Sequence, residues 1–370
     1  MDGEAQMVRR YGTLANSLSD MAFNRDDVDL IGRLKYGRRL SGDAAPGRPP
    51  NLVVIQVESL DSNAVNKKIN GKYAMPFLHS LSASNVYYPY ALSYHEAGGT
   101  SDCEFSAMNS VEPLSSFPAM ILKSYEYPNS VVRQLALNSY STTAFHGNVG
   151  SYYSRSIAYP KMGYRSFFDL SLMGLSEEGW GAKDEDVFKF AERRLKEEAQ
   201  PFFAYTITMS SHGPFTNVSS YYHNSNYESV KDLTVKNYLN SMSYVDQSLG
   251  DYVNYIRSNF RNTYIFIYGD HAPGINNNFY KQASFTDRER YFEFVPVIIV
   301  TPIGTKYAEG KNSASFLDIA PTLANAAGIP YSIASDGIDL LAGSGYGCDI
   351  PYRGESFNRE YLYRMARTIK

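Results

Sequence analysis

The stretch Tyr264-Ile265-Phe266-Ile267-Tyr268-Gly269-Asp270-His271 decides the fold. Its apolar run does not alternate with polar residues, as expected of a strand covered on both faces. An acid and an imidazole then leave its C-terminal end side by side. In an open parallel sheet that end is where ligands bind, and one carboxylate with one imidazole is half of a divalent-metal site. A second run, Leu52-Val53-Val54-Ile55-Gln56-Val57, ends in Glu58-Ser59. A carboxylate at such an exit is costly to desolvate unless it meets a cation. If the two strands are neighbours, Glu58, Asp270 and His271 meet as three ligands awaiting a fourth.

The fourth is argued from His95-Glu96-Ala97-Gly98-Gly99-Thr100-Ser101-Asp102-Cys103-Glu104. The glycine pair frees the backbone to turn tightly. Thr100 then stands where a helix would begin, with Asp102 and Glu104 in its first turn, as the macrodipole favours. A hydroxyl at a helix N-terminus faces unpaired N–H groups, which suits attack on phosphate, and metal coordination would make it a nucleophile. Taken alone, Thr100 reads first as an N-cap. His95 lies nearest this turn; His79 and His223 belong to no motif.

Around these motifs the pattern is α/β, with strands and helices alternating from Asn51 onward as in a doubly wound sheet. Strands are expected at Leu52–Val57, Ser141–Phe145, Phe202–Thr208, Tyr264–Tyr268 and Phe294–Thr301. Helices are expected at Thr100–Asn109, Asp184–Glu198, Leu233–Ser258 and Ser315–Ala327. Residues 1–50 read as a lead-in ending in a Gly/Pro-rich linker, 51–330 as the catalytic domain, and 331–370 as a small antiparallel or irregular appendage. Hydrophobic residues make up 44% of the 370, enough for a sizeable core, and the net charge of −3 gives no case for nucleic-acid binding. No apolar run reaches membrane-spanning length. Two cysteines, Cys103 and Cys348, leave one bridge or two free thiols equally open.

In order along the chain stand Val57-Glu58-Ser59, Gly99-Thr100-Ser101-Asp102, Phe145-His146-Gly147-Asn148, Ser154-Arg155, Ser210-Ser211-His212, Gly269-Asp270-His271 and Leu317-Asp318-Ile319-Ala320-Pro321-Thr322-Leu323. This ordered set resembles the lipoteichoic acid synthase group of sulfatase-like phosphoglycerol transferases, in the alkaline phosphatase superfamily. The resemblance implies a mostly parallel sheet flanked by helices, with a small C-terminal α+β appendage. It implies that Glu58, Thr100, Asp270 and His271 ligate one divalent metal, usually manganese, with zinc and magnesium as alternatives. Thr100 would be the nucleophile. His146, Arg155 and His212 match positions that bind the phosphoglycerol group, and His212 is suited to proton transfer. One departure is that Tyr152-Tyr153-Ser154-Arg155 stands where the family often has an aromatic pair ending in Trp. Tyr153 could still stack on glycerol.

The same resemblance implies phosphatidylglycerol as donor and a teichoic acid, cell-surface polysaccharide or glucan as acceptor. It implies a bacterial membrane protein whose catalytic domain is extracellular or periplasmic, following an N-terminal transmembrane region. Rival readings are a phosphodiesterase or phosphatase, a phosphoethanolamine transferase, and a non-catalytic glycan-binding ectodomain. A true sulfatase would need a Cys/Ser-x-Pro-x-Arg motif, and Thr100-Ser101-Asp102-Cys103-Glu104 supplies neither Pro nor Arg.

Overall fold

The chain was analysed as a computed structural model, which describes residues 27–302, 308–342 and 348–369. Strand β1 (Asn51–Val57) is buried at all seven positions. Its side chains alternate between two cores: Leu52 and Val54 face one, while Val53, Ile55 and Val57 face the other. Both faces of the sheet are therefore covered, and the chain folds in three layers. The remaining principal strands are β2 (Val86–Leu92), β3 (Ser141–His146), β4 (Ser166–Phe168), β5 (Phe202–Ile207), β6 (Thr263–Gly269) and β7 (Arg290–Val300). They lie in the order β2-β7-β6-β1-β5-β3-β4, and short strands at Ala308–Glu309, Ala314–Ser315 and Ser284–Asp287 complete the sheet.

β6, β1, β5, β3 and β4 are mutually parallel. β1 sits at a switch point, because its neighbours β5 and β6 come from later in the chain. The pairing runs from Asn51 opposite Thr263 to Val57 opposite Gly269. Glu58 and Asp270 thus leave the same edge of the sheet together.

Two features depart from expectation. β7 starts at Arg290 rather than Phe294, ends at Val300, and runs antiparallel to both β6 and β2. A continuous apolar run is the same in either direction, so composition cannot report this. β2 was not foreseen because Pro89 interrupts its pattern. Pro89 and Pro296 fall together where the β2–β7 register shifts, between Val295–Ala91 and Val297–Tyr88. An irregularity is where residues lacking an N–H are tolerated within a sheet.

The helices that matter are α1 (Thr100–Asn109), α2 (Arg155–Met162), α3 (Asp184–Glu197), α4 (Leu233–Asn259), α5 (Ile319–Ala327) and α6 (Arg359–Arg367). On α4, Leu239, Met242, Val245, Leu249, Val253 and Ile256 are buried in the second core, as their helical spacing predicts. α1 and α5 pack in the first, through Phe105, Met108 and Leu323. Arg38–Gly42 forms an antiparallel pair with Tyr331–Ser335, so the segment before β1 joins the segment after α5. Buried Arg359 at the start of α6 donates to both oxygens of Asp318, at 2.7 and 2.8 Å. Cys103 and Cys348 are free thiols. Among the described residues no helix is long and apolar enough to cross a membrane.

Buried Asp246 on α4 accepts the Phe77 and Leu78 amides, both at 2.8 Å, and so caps the helix Pro76–Ser82. Burial pushes its carboxyl up to about 6, against the pull of those two amides. A carboxyl raised on folding stabilises the native state below its unfolded pKa, and that contribution is lost as pH rises through the folded value. Relative to Asp246→Asn, the native protein should therefore lose stability between about pH 4 and about pH 7. Urea unfolding of both proteins across that range measures it; a constant gap would contradict the buried carboxyl.

Candidate active site

Glu58 is fixed by backbone contacts on both sides. Its amide donates to Thr208 Oγ1 at 2.9 Å, and its carbonyl accepts Ser211 Oγ at 2.6 Å. Ser59 then turns with φ of 56°, a left-handed conformation uncommon for serine. That turn delivers the Ser59 amide to Asp270 Oδ1 at 2.8 Å. The same oxygen accepts the His271 amide at 2.7 Å. The Asp270 carbonyl is held by Ser93 Oγ and by the Cys103 thiol.

His271 Nδ1 pairs with the Ala272 carbonyl at 2.9 Å, which places the hydrogen there and turns Nε2 toward the acids. Nε2 lies 3.2 Å from Glu58 Oε1 and 3.7 Å from Asp270 Oδ2. The donor atoms of Glu58, Asp270 and His271 all fall within 4.8 Å of one another. Thr100 Oγ1 donates to Glu58 Oε2 at 3.2 Å. All four expected ligands are thus brought together.

Thr100 is not the N-cap. Gly99 holds that place, with φ 53° and ψ −129°, and Thr100 is the first helical residue. A Cβ on Gly98 would lie 2.3 Å from Asp102 Oδ1, so a larger residue there would have to displace that carboxylate. Asp102 Oδ2 accepts the Gly98 and Glu96 amides and secures the loop. Glu104 lies a turn deeper than expected, outside the first turn, and meets Arg155 instead.

Electrostatically the cluster is incomplete. Burial and then Glu58 push the Asp270 carboxyl well above the usual carboxylate range. Burial would also raise Glu58, but the adjacent His271 outweighs it and holds that carboxyl low. Burial would lower His271, yet Asp270 and Glu58 hold it well above its ordinary value. Asp270 Oδ2 has no hydrogen-bond partner although it is buried. Two acids, an imidazole and a hydroxyl form an oxygen-rich donor set of the kind that manganese, magnesium or zinc accepts. The residues present fit a divalent cation.

Arg155 is buried and bound to Glu104: Nε reaches the two carboxylate oxygens at 3.2 and 3.0 Å, and Nη2 joins one of them. Tyr159 OH donates to the same carboxylate at 2.6 Å. Just before Arg155, Tyr153 and Ser154 both adopt left-handed backbone, at φ 53° and 55°. Strain of this kind gathers at functional sites. It brings Tyr153 OH beside Gly99, 3.5 Å from where a Cβ would stand. His146 closes β3, buried, with Nδ1 unpartnered. Burial and then Arg155 keep its imidazole well below its ordinary value, hence neutral. His212 lies on the loop after β5 and packs against the ring of Trp180, with centroids 4.3 Å apart.

Two neighbours, Trp180 and Glu293, escaped the sequence reading, while His95 was singled out there only by its place before the Thr100 turn. Trp180 belonged to no motif. Glu293 accepts the Ala272 amide and faces His95 Nδ1 at 3.3 Å. His95 itself stacks on His271 with centroids 4.2 Å apart. His95, His271 and Glu293 also bring donors within 4.8 Å. That group shares His271 with the first cluster, so it is no independent second metal centre.

The chain belongs to the sulfatase family, whose model matches residues 50–329. Within it, the chain resembles lipoteichoic acid synthases. It is 29% identical to the one from Staphylococcus saprophyticus, an alignment covering 96% of this chain and 58% of that protein. This chain therefore spans little more than half the length of that relative. Among solved structures, the lipoteichoic acid synthase LtaP from Listeria monocytogenes matches with a TM-score of 0.69 at 23% identity, covering 86% of this chain and 91% of that one. The Streptococcus pyogenes phosphoglycerol transferase GacH, in complex with sn-glycerol-1-phosphate, matches with a TM-score of 0.57 at 17% identity, over 88% and 81%. These structural likenesses speak for the fold.

Removing one partner of a buried ion pair leaves the other charge uncompensated, at about 3–5 kcal/mol. Arg155→Ala should therefore destabilise the protein by about that amount. Denaturant unfolding reads this directly, and a loss below about 1 kcal/mol would mean that Glu104 and Arg155 do not pair in solution.

Proposed function

We propose that this chain is the catalytic part of a metal-dependent phosphoglycerol transferase. It would move glycerol phosphate from phosphatidylglycerol, through a phospho-threonine, to a cell-surface polymer or glycan. The observation that carries this reading is the meeting of the Thr100 hydroxyl with Glu58, Asp270 and His271 at adjacent strand exits.

In the first step Thr100 Oγ1 attacks the phosphorus of the lipid phosphodiester. A P–Oγ1 bond forms, the bond from phosphorus to the diacylglycerol oxygen breaks, and diacylglycerol leaves with a proton. In the second step an acceptor hydroxyl attacks phosphorus, the P–Oγ1 bond breaks, and Thr100 recovers its proton. Glu58 Oε2 already accepts the Thr100 hydroxyl and orients it. A divalent cation held by Glu58, Thr100, Asp270 and His271, manganese first among the candidates, would supply Lewis acidity and favour the ionised hydroxyl.

His212, on the loop after β5 and braced by Trp180, is the group assigned to carry the leaving and entering protons. Arg155 is assigned to the phosphoryl oxygens. Its Nε and Nη2 are taken by Glu104, so the phosphoryl contact is assigned to Nη1, which also bonds the Tyr152 carbonyl at 3.3 Å. Neutral His146 and Tyr153 are assigned to the glycerol hydroxyls. The work would be done at the outer face of a bacterial membrane, with a membrane region preceding this stretch in the longer protein.

Incubated with phosphatidylglycerol, the protein should gain one glycerophosphate on Thr100, detectable by mass spectrometry of the trapped adduct. Thr100→Ala should abolish both the adduct and turnover while the protein melts normally. Turnover retained in that variant rejects the threonine route.

A further inference from the structure

A cavity of about 520 Å³ lies outside the cleft just described. Four cationic residues line it, Lys67, Lys68, Lys281 and Arg367, and among the described residues no carboxylate does. This is uneven in a chain whose net charge is −3. Among the described residues none of the four joins an ion pair. Carbonyl and aromatic groups steer three of them instead. Lys67 Nζ reaches the Phe279 carbonyl at 3.4 Å, Lys68 lies 4.3 Å from the Tyr73 ring centre, and Arg367 lies 5.4 Å from that of Tyr363. Contacts of this kind orient a cation without neutralising it, so the positive field stays available to a ligand.

The remaining walls include four asparagine amides and two phenols, with Ser62, Pro89, Ile369 and half-exposed Phe279 beside them. Amides bond hydroxyls, and an exposed ring offers an apolar face to the carbons of a polyol or sugar. The wall is also well ordered. Asn277 Oδ1 accepts the Phe279 and Tyr280 amides, and Asn63 donates to the Lys281 carbonyl at 2.9 Å. Tyr280 OH donates to buried Asp61 at 2.6 Å, three residues beyond Glu58. The cavity and the Glu58 cluster are thus joined through one short segment.

We propose that this cavity binds an anionic chain, a polyol or glycan bearing phosphodiesters, and holds it as acceptor. This rests on the transferase reading above and narrows its acceptor to one that already carries phosphate. A concave, amide-lined surface suits a flexible chain better than a flat bilayer, which makes the membrane surface the competing occupant.

The test uses two exposed residues in the double variant Lys68→Glu/Lys281→Glu, prepared in a Thr100→Ala background so that no covalent adduct contributes. Probes are a short poly(glycerol phosphate), a neutral dextran, and phosphatidylglycerol vesicles. The poly(glycerol phosphate) should bind, weaken as salt rises, and lose about tenfold or more in affinity on double reversal. Dextran should not compete, and vesicle binding should not change. A circular dichroism melt verifies that the double variant folds. Undetectable binding, binding unmoved by the reversal, or a loss confined to vesicles overturns the proposal. Because Thr100→Ala forms no adduct, these results are independent of whether the transferase reading holds, which the adduct assay decides.

Discussion

Two carboxylates and an imidazole, buried at the exits of adjacent parallel strands, demand positive charge between them. Everything near the cleft follows from meeting that demand in a fixed geometry. The register that sets Val57 opposite Gly269 leaves Glu58 and Asp270 no choice but to approach each other. Like charges at such range do not both ionise without compensation. Asp270 is pushed toward its protonated form and His271 toward its charged one. A proton satisfies this demand poorly, since Asp270 Oδ2 still lacks a partner. A divalent cation would satisfy it, and the hydroxyl of Thr100, beside Glu58 Oε2, is the fourth donor we propose.

The scaffold spends much of its polar bonding on holding this arrangement still. α1 is buried from Ser101 to Asn109, so the residue that begins it has little freedom. Asp102 folds back on the loop, Cys103 braces the Asp270 carbonyl, and Glu104 fixes Arg155. Successive residues of one helix thereby position the Glu58–Asp270–His271 cluster on one side and Arg155 on the other. Arg353, in the turn between the antiparallel strands Ile350–Tyr352 and Glu355–Phe357, adds a clasp by bonding Glu96 through both Nε and Nη2, at 2.6 and 2.9 Å. The C-terminal segment therefore bears on the placement of Thr100 although it supplies no ligand.

Local chemistry made part of this legible in the sequence. Apolar runs marked β1 and β6, the glycine pair marked the start of α1, and helical spacing marked the buried face of α4. What escaped was long-range. The direction of β7 depends on its neighbours, and β2 hid behind Pro89, which is tolerated because it falls at the β2–β7 register irregularity, as Pro296 does. Glu104 read as a first-turn acid because its partner stands 51 residues away. Trp180 and Glu293 carried no local pattern, and only the folded chain brings them to His212 and His95. The pairing of Glu58 with Asp270 was legible only as a condition on strand adjacency, which the sheet order meets.

The most direct test of the central claim is a crystal structure grown with manganese, with anomalous differences measured near the manganese edge. The account predicts one strong peak, about 2.0–2.3 Å from donor atoms of Glu58, Thr100, Asp270 and His271. No peak there, or a peak held by other residues, would contradict it.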